Sequence, residues 1–176
     1  RGNKRHGARL SEWQVPRHLF EDDSSVELPS NDLFRLEIAE QGVLDRLRLV
    51  TPEKVDLRPG EIKIEVRAMG LNFRDVLNAL GMYPGDPIPL GMECAGEIVA
   101  VGDDVDDFHV GQRVMALASG SLASHVNVPA SWATLSPIGM SACQAATIPI
   151  SFLTAYHALY MLAGLSKGER VLIHAG

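Results

Sequence analysis

Cysteine is scarce: the 176 residues hold two, Cys94 and Cys143. Two cannot build a disulfide framework or a structural zinc site of four cysteines. They read as two buried thiols in a reducing, cytoplasmic setting. Positive charge is also short, with 16 Lys and Arg against 22 Asp and Glu, a net charge of −6. No long basic run is present, which argues against nucleic acid as the main ligand. No apolar run approaches the roughly 18 residues a membrane helix needs, so no membrane partner is expected. The basic opening RGNKRHGARL has no apolar core behind it and does not read as a signal peptide. There is no internal repeat.

What is present is the composition of a soluble globular chain, 46% hydrophobic and 22% charged. Residues 1–30 stand apart: a basic start, an acidic Glu21–Asp23, and little apolar periodicity after Leu10. They read as a linker or the tail of a preceding domain. From Leu33 the period becomes two. Phe34, Leu36 and Ile38 alternate with Arg35 and Glu37, and Ile62, Ile64 and Val66 alternate with Lys63, Glu65 and Arg67. Asn72 starts a short helix with Asp75 in its first turn, closed by Gly81. A loop with Pro84, Gly85, Pro87 and Pro89 follows. Strands are predicted over Ala95–Val101, Val114–Ala118 and Leu122–Val128, the last stopped by Pro129. Short strands between marked turns predict a mainly β, barrel-like domain over residues 31–140. Gly91, Gly96 and Gly102 fit tight turns at barrel corners.

Near Ser141 the pattern changes. Ser141 and Gln144 have capping-box spacing. After Pro149, residues Phe152, Ala155, Tyr156, Leu159 and Leu162 recur at helical spacing. Val171–Ile173 then reads as a strand buried on both faces of a parallel sheet. Residues 141–176 are therefore expected to open a second, α/β domain, with the chain stopping at a βα unit before its helix.

Four residues are candidates for chemistry. Tyr83 stands on a Pro/Gly loop, where its hydroxyl can give a proton or a hydrogen bond; the alternative is a tyrosine half-buried against the preceding helix. Asn72 is either a helix cap beside a structural ion pair of Arg74 and Asp75 or the lining of a ligand pocket. Ser151 and Thr154 lie near a helix start, where hydroxyls cap the helix or meet an anionic ligand.

The segments NFRDVLNALGMYPG (72–85) and LGMECAGEIVAVG (90–102) resemble the enoyl reductase domain of modular polyketide synthases. The segment ATIPISFLTAYHALYMLAGLSKGERVLIHAG (146–176) resembles the entry into the cofactor domain of the same group, the medium-chain dehydrogenase/reductase superfamily. The resemblance implies a GroES-like barrel on the substrate side, followed by the first helix and strand of a Rossmann-type domain, with the glycine-rich phosphate loop beyond residue 176. It implies NADPH as cofactor, Tyr83 as proton donor or enolate stabiliser, Asn72 at the nicotinamide, and Ser151 and Thr154 as cofactor contacts. The substrate would be a trans-2-enoyl thioester on the phosphopantetheine arm of an acyl carrier protein, with neighbouring domains of the same synthase as partners. Zinc-using members carry Gly-His-Glu where this chain has Gly91-Met92-Glu93. A thioether does not replace the imidazole, and His109, His125, His157 and His174 have no ligand spacing, so no metal is expected. Two other readings stay open: a free-standing zinc-independent quinone or enone reductase, and a non-catalytic GroES-like docking module.

Overall fold

A computed structural model describes residues 33–174. The 1–30 segment read as a linker lies outside the described residues.

Alternation at residues 61–69 makes the central strand. In β3 (Glu61–Met69), Ile62 and Ile64 are buried while Lys63 and Glu65 are not. β3 pairs antiparallel with β4 (Glu93–Val101) on one side and with β6 (His125–Pro129) on the other. β4 in turn pairs with β5 (Arg113–Leu117), and β5 with β7 (Ala133–Leu135). The order β6-β3-β4-β5-β7 is an open sheet with β6 and β7 at its edges. The fold class is as expected, mainly β with few helices, but no ladder among the described residues closes the strands into a barrel. A separate antiparallel pair, β1 (Arg35–Ile38) and β2 (Leu47–Val50), lies beside it.

The core is the inner face of this sheet. Ile62, Ile64, Ile98, Val114, Val126 and Val128 cluster with Cys94. Each such aliphatic side chain contributes about 1.5–3 kcal/mol on leaving water. Gly96 is not at a corner, as expected from sequence, but midway along β4 opposite Val66. A Cβ there would run into the carbonyl oxygen of Glu65 on the neighbouring strand, so close strand approach is what requires glycine.

Helix α1 (Phe73–Ala79) starts at Asn72, and helix α2 (Ala142–Ala146) starts at Ser141. The capping box of α2 forms as the spacing predicts. Ser141 Oγ accepts the Gln144 N–H at 3.2 Å, and Gln144 Oε1 accepts the Ser141 N–H at 3.0 Å. Small side chains let α2 sit flat on the sheet, with Ala145 and Ala146 packed against Ala95.

Helix α3 (Pro149–Tyr156) continues as a π-helical stretch over His157–Leu162, where Tyr156 and Tyr160 stack with centroids 5.2 Å apart. Its apolar positions are exposed: Phe152, Tyr156 and Leu162 face no covering element among the described residues. Val171–Ile173 differs from expectation. It forms no strand and its three side chains are exposed. A strand needs a ladder partner, and no described segment lies alongside it. The thiols also differ from expectation: Cys94 is buried, but Cys143, on α2, is exposed.

Candidate active site

The site is organised by two buried carboxylates, Asp75 and Glu93, only 3% and 4% exposed. Asp75 stands in the first turn of α1. Its Oδ2 accepts the Asn72 N–H at 3.0 Å, and its Oδ1 accepts the Gly91 N–H at 2.9 Å. The expected Arg74–Asp75 ion pair does not form, because backbone donors take both carboxylate oxygens. The Arg74 Nε is buried without a partner. Gly91 has φ of +91°, and a Cβ there would lie 2.5 Å from both Ser121 Oγ and the Leu122 nitrogen. Glycine is therefore required where the chain turns from the loop into β4.

Glu93 is the first residue of β4. Its Oε1 accepts a hydrogen bond from Asn72 Nδ2 at 3.0 Å, and its Oε2 accepts the Ile150 N–H at 2.8 Å. Its carbonyl oxygen accepts from Ser121 Oγ at 3.0 Å and from the Gly70 N–H at 3.3 Å. Asn72 also donates from Nδ2 to the Gly70 carbonyl at 3.3 Å. Ile150 lies in the first turn of α3, where N–H groups have no partner within the helix and the dipole favours negative charge. The reading from sequence did not single out Glu93 for this role. Its signals in the sequence are its place opening a mostly apolar strand, which also holds Glu97, and its place in the Gly91-Met92-Glu93 run.

Of the four predicted site residues, Asn72 is tied through Glu93 to the Ile150 N–H in the first turn of α3. Ser151 and Thr154 lie on that helix, exposed and three positions apart on one side. Tyr83 stands at the other end of α1. Its N–H donates to the Leu77 carbonyl at 3.1 Å, its side chain is half-buried, and its hydroxyl makes no hydrogen bond with the described residues. A cavity of about 420 Å³ lies between β5, β7 and α3, lined by Met115, Leu117, Trp132, Ile148 and Leu153, and none of the four residues lines it.

Burial, and then the Glu93 charge, push the Cys94 thiol up to about 12, so it stays protonated. Among the described residues, no three of His, Cys, Asp and Glu converge as a metal site would require. No helix there is long and apolar enough to cross a membrane.

Residues 58–139 match the Alcohol dehydrogenase GroES-like domain family. Residues 58–139 thus carry the GroES-like domain of that family; the chain's relatives include modular polyketide synthases, and its structural neighbours include enoyl reductases of the medium-chain dehydrogenase/reductase superfamily. It is 49% identical over 163 residues to the Erythronolide synthase EryA2 of Saccharopolyspora erythraea, covering 92% of this chain and 4% of the synthase. It superposes on the CurK enoyl reductase with a TM-score of 0.77 at 39% identity, covering 82% of this chain and 47% of that one. A mycobacterial protein, Rv1454c in complex with NADPH, matches with a TM-score of 0.71 at 32% identity over 82% of this chain and 46% of its own. The chain thus spans under half of the solved reductase and a small part of the synthase.

Proposed function

We propose that this chain is the substrate side of an NADPH-dependent enoyl reductase, which saturates the 2,3 double bond of a trans-2-enoyl thioester carried by an acyl carrier protein. The observation that carries the reading is the likeness to the CurK enoyl reductase in both fold and sequence over 82% of this chain. In this reading residues 31–140 form the GroES-like part and residues 141–176 begin the cofactor part.

The residues present suit the cofactor at its nicotinamide end. Asn72 offers a carboxamide held by Glu93, and Ser151 and Thr154 offer two exposed hydroxyls on one side of the first turns of α3. NADPH, when bound, supplies the hydride that the β-carbon of the substrate receives. The rest is the work of the chain. Negative charge develops on the thioester oxygen, and donors placed there lower the barrier. The α-carbon must then take a proton. Tyr83 is assigned that role, because its hydroxyl is not committed to any described partner and its loop is tied by backbone hydrogen bonds to the end of α1. With Met92 in place of the histidine of zinc-using members, polarisation falls to hydrogen-bond donors.

The test compares substrates in the full-length protein with NADPH. Reduction of a carrier-bound trans-2-enoyl thioester at a kcat/KM at least about tenfold above that for a quinone is expected from a site built on thioester contacts. Preference for the quinone would instead support a free-standing quinone reductase chemistry.

A further inference from the structure

Glu93 carries more than the fold requires. An ionised carboxylate only accepts hydrogen bonds, and here each oxygen meets a donor from a different part of the chain: a side-chain amide 21 positions before it and a backbone N–H 57 positions after it. The residue is 4% exposed. Burying a charge is expensive unless every lone-pair direction is used, and an apolar side chain would fill a core position at lower cost. The loop is also pressed flat against the carboxylate, since a Cβ on Gly70 would land on Glu93 Oε1. Glycine at 70, asparagine at 72 and glutamate at 93 therefore fit one another as a set.

We propose that Glu93 is a positioning residue, a single carboxylate that fixes the Asn72 carboxamide and the first turn of α3 at one separation, and so sets the cofactor-side helix against the substrate-side loop. The proposal rests on the reading that Asn72 and α3 meet the nicotinamide cofactor. The chemistry is specific to a carboxylate. A glutamine has one acceptor oxygen, so its amide nitrogen would face a second donor, either Asn72 Nδ2 or the Ile150 N–H.

The test uses the full-length protein with Glu93→Gln and, as a second variant that keeps the charge but shortens the reach, Glu93→Asp. Amide hydrogen exchange over the first turn of α3, around Ile150, is expected to speed up about tenfold or more, the scale of one charge-assisted hydrogen bond, while exchange in the β3–β4 ladder stays unchanged. In enoyl thioester reduction, Glu93→Gln is expected to lower kcat/KM about 10- to 100-fold. Asn72→Ala added to Glu93→Gln is expected to cost much less than Asn72→Ala alone, because the two act as a unit. Unchanged exchange at α3 overturns the proposal, and so do additive losses in the double variant. If Glu93→Gln does not fold, Glu93→Asp is read by the same criteria. An unsubstituted protein with no reductase activity defeats the proposed function, while the exchange result still judges the joint.

Discussion

Glu93 and Ile150 are 57 positions apart, yet the side chain of one accepts the backbone N–H of the other at 2.8 Å. This bond ties the opening of β4 to the opening of α3. It runs from the GroES-like part of the chain to the segment that resembles the entry of a cofactor domain. The same carboxylate holds Asn72 at 3.0 Å, so three distant pieces of sequence meet on two oxygens.

The second buried carboxylate is predicted to matter for stability. Asp75 accepts two backbone N–H groups, from Asn72 and Gly91. Asp75→Asn leaves one acceptor oxygen, and one of those N–H groups then faces an amide donor. A loss of about 1–3 kcal/mol in unfolding free energy is expected, the scale of one unsatisfied buried donor. Chemical denaturation measures it, and a variant as stable as the parent would contradict the assignment.

Much of this architecture is legible in the sequence because its causes are local. Alternation at Ile62–Val66 sets β3, and Ser141 with Gln144 sets the start of α2. What is not legible depends on distant partners. β7 is three residues long and exists only because β5 offers it a ladder. Gly96 looks like a turn residue until the carbonyl of Glu65 is seen beside it. Val171–Ile173 has the composition of a buried strand, but composition does not supply a neighbour. For the site, Asn72 as a helix start was readable, whereas its bond to Glu93 was not, since nothing local links positions 72, 93 and 150.

The two thiols should behave differently. Cys143 is exposed, while Cys94 is buried, with its thiol pushed up to about 12. In this chain one equivalent is expected to react rapidly with a disulfide reagent at neutral pH, and the second only on unfolding. Two rapidly reacting thiols would show that the β4 core is open.

His125 gives a pH signature. Its imidazole is held below the ordinary value of about 6.5, first by burial and then by Lys63 and Arg67, with Glu65 opposing. The unfolded chain therefore takes up a proton as pH falls below about 6.5, before the folded one does. The contribution of His125 to stability is intact above about 6.5 and is lost as pH falls through the lowered folded-state value. His125→Gln should flatten that part of the Tm profile between about pH 7.5 and 5. Parallel profiles for the two proteins would place the acid sensitivity elsewhere.

Tyr83→Phe keeps the ring and removes the hydroxyl. In the full-length protein kcat for thioester reduction is expected to fall about 10²-fold, with a far smaller change in KM, if the hydroxyl gives its proton or hydrogen bond in the transition state. If reduction continues at the parent rate but the α-carbon is protonated on its other face, Tyr83 sets configuration. Unchanged rate and configuration together would make it a structural residue of the loop.

The central claim is hydride delivery to the β-carbon of an enoyl thioester, and isotope transfer tests it most directly. The full-length protein is given NADPH deuterated at its transferable position and a carrier-bound trans-2-enoyl thioester in ordinary water, and the product is analysed by mass spectrometry and NMR. The account predicts one deuterium at the β-carbon and a solvent-derived proton at the α-carbon. A product with no deuterium at the β-carbon, or a thioester left unreduced while the cofactor is consumed on a quinone, would contradict it.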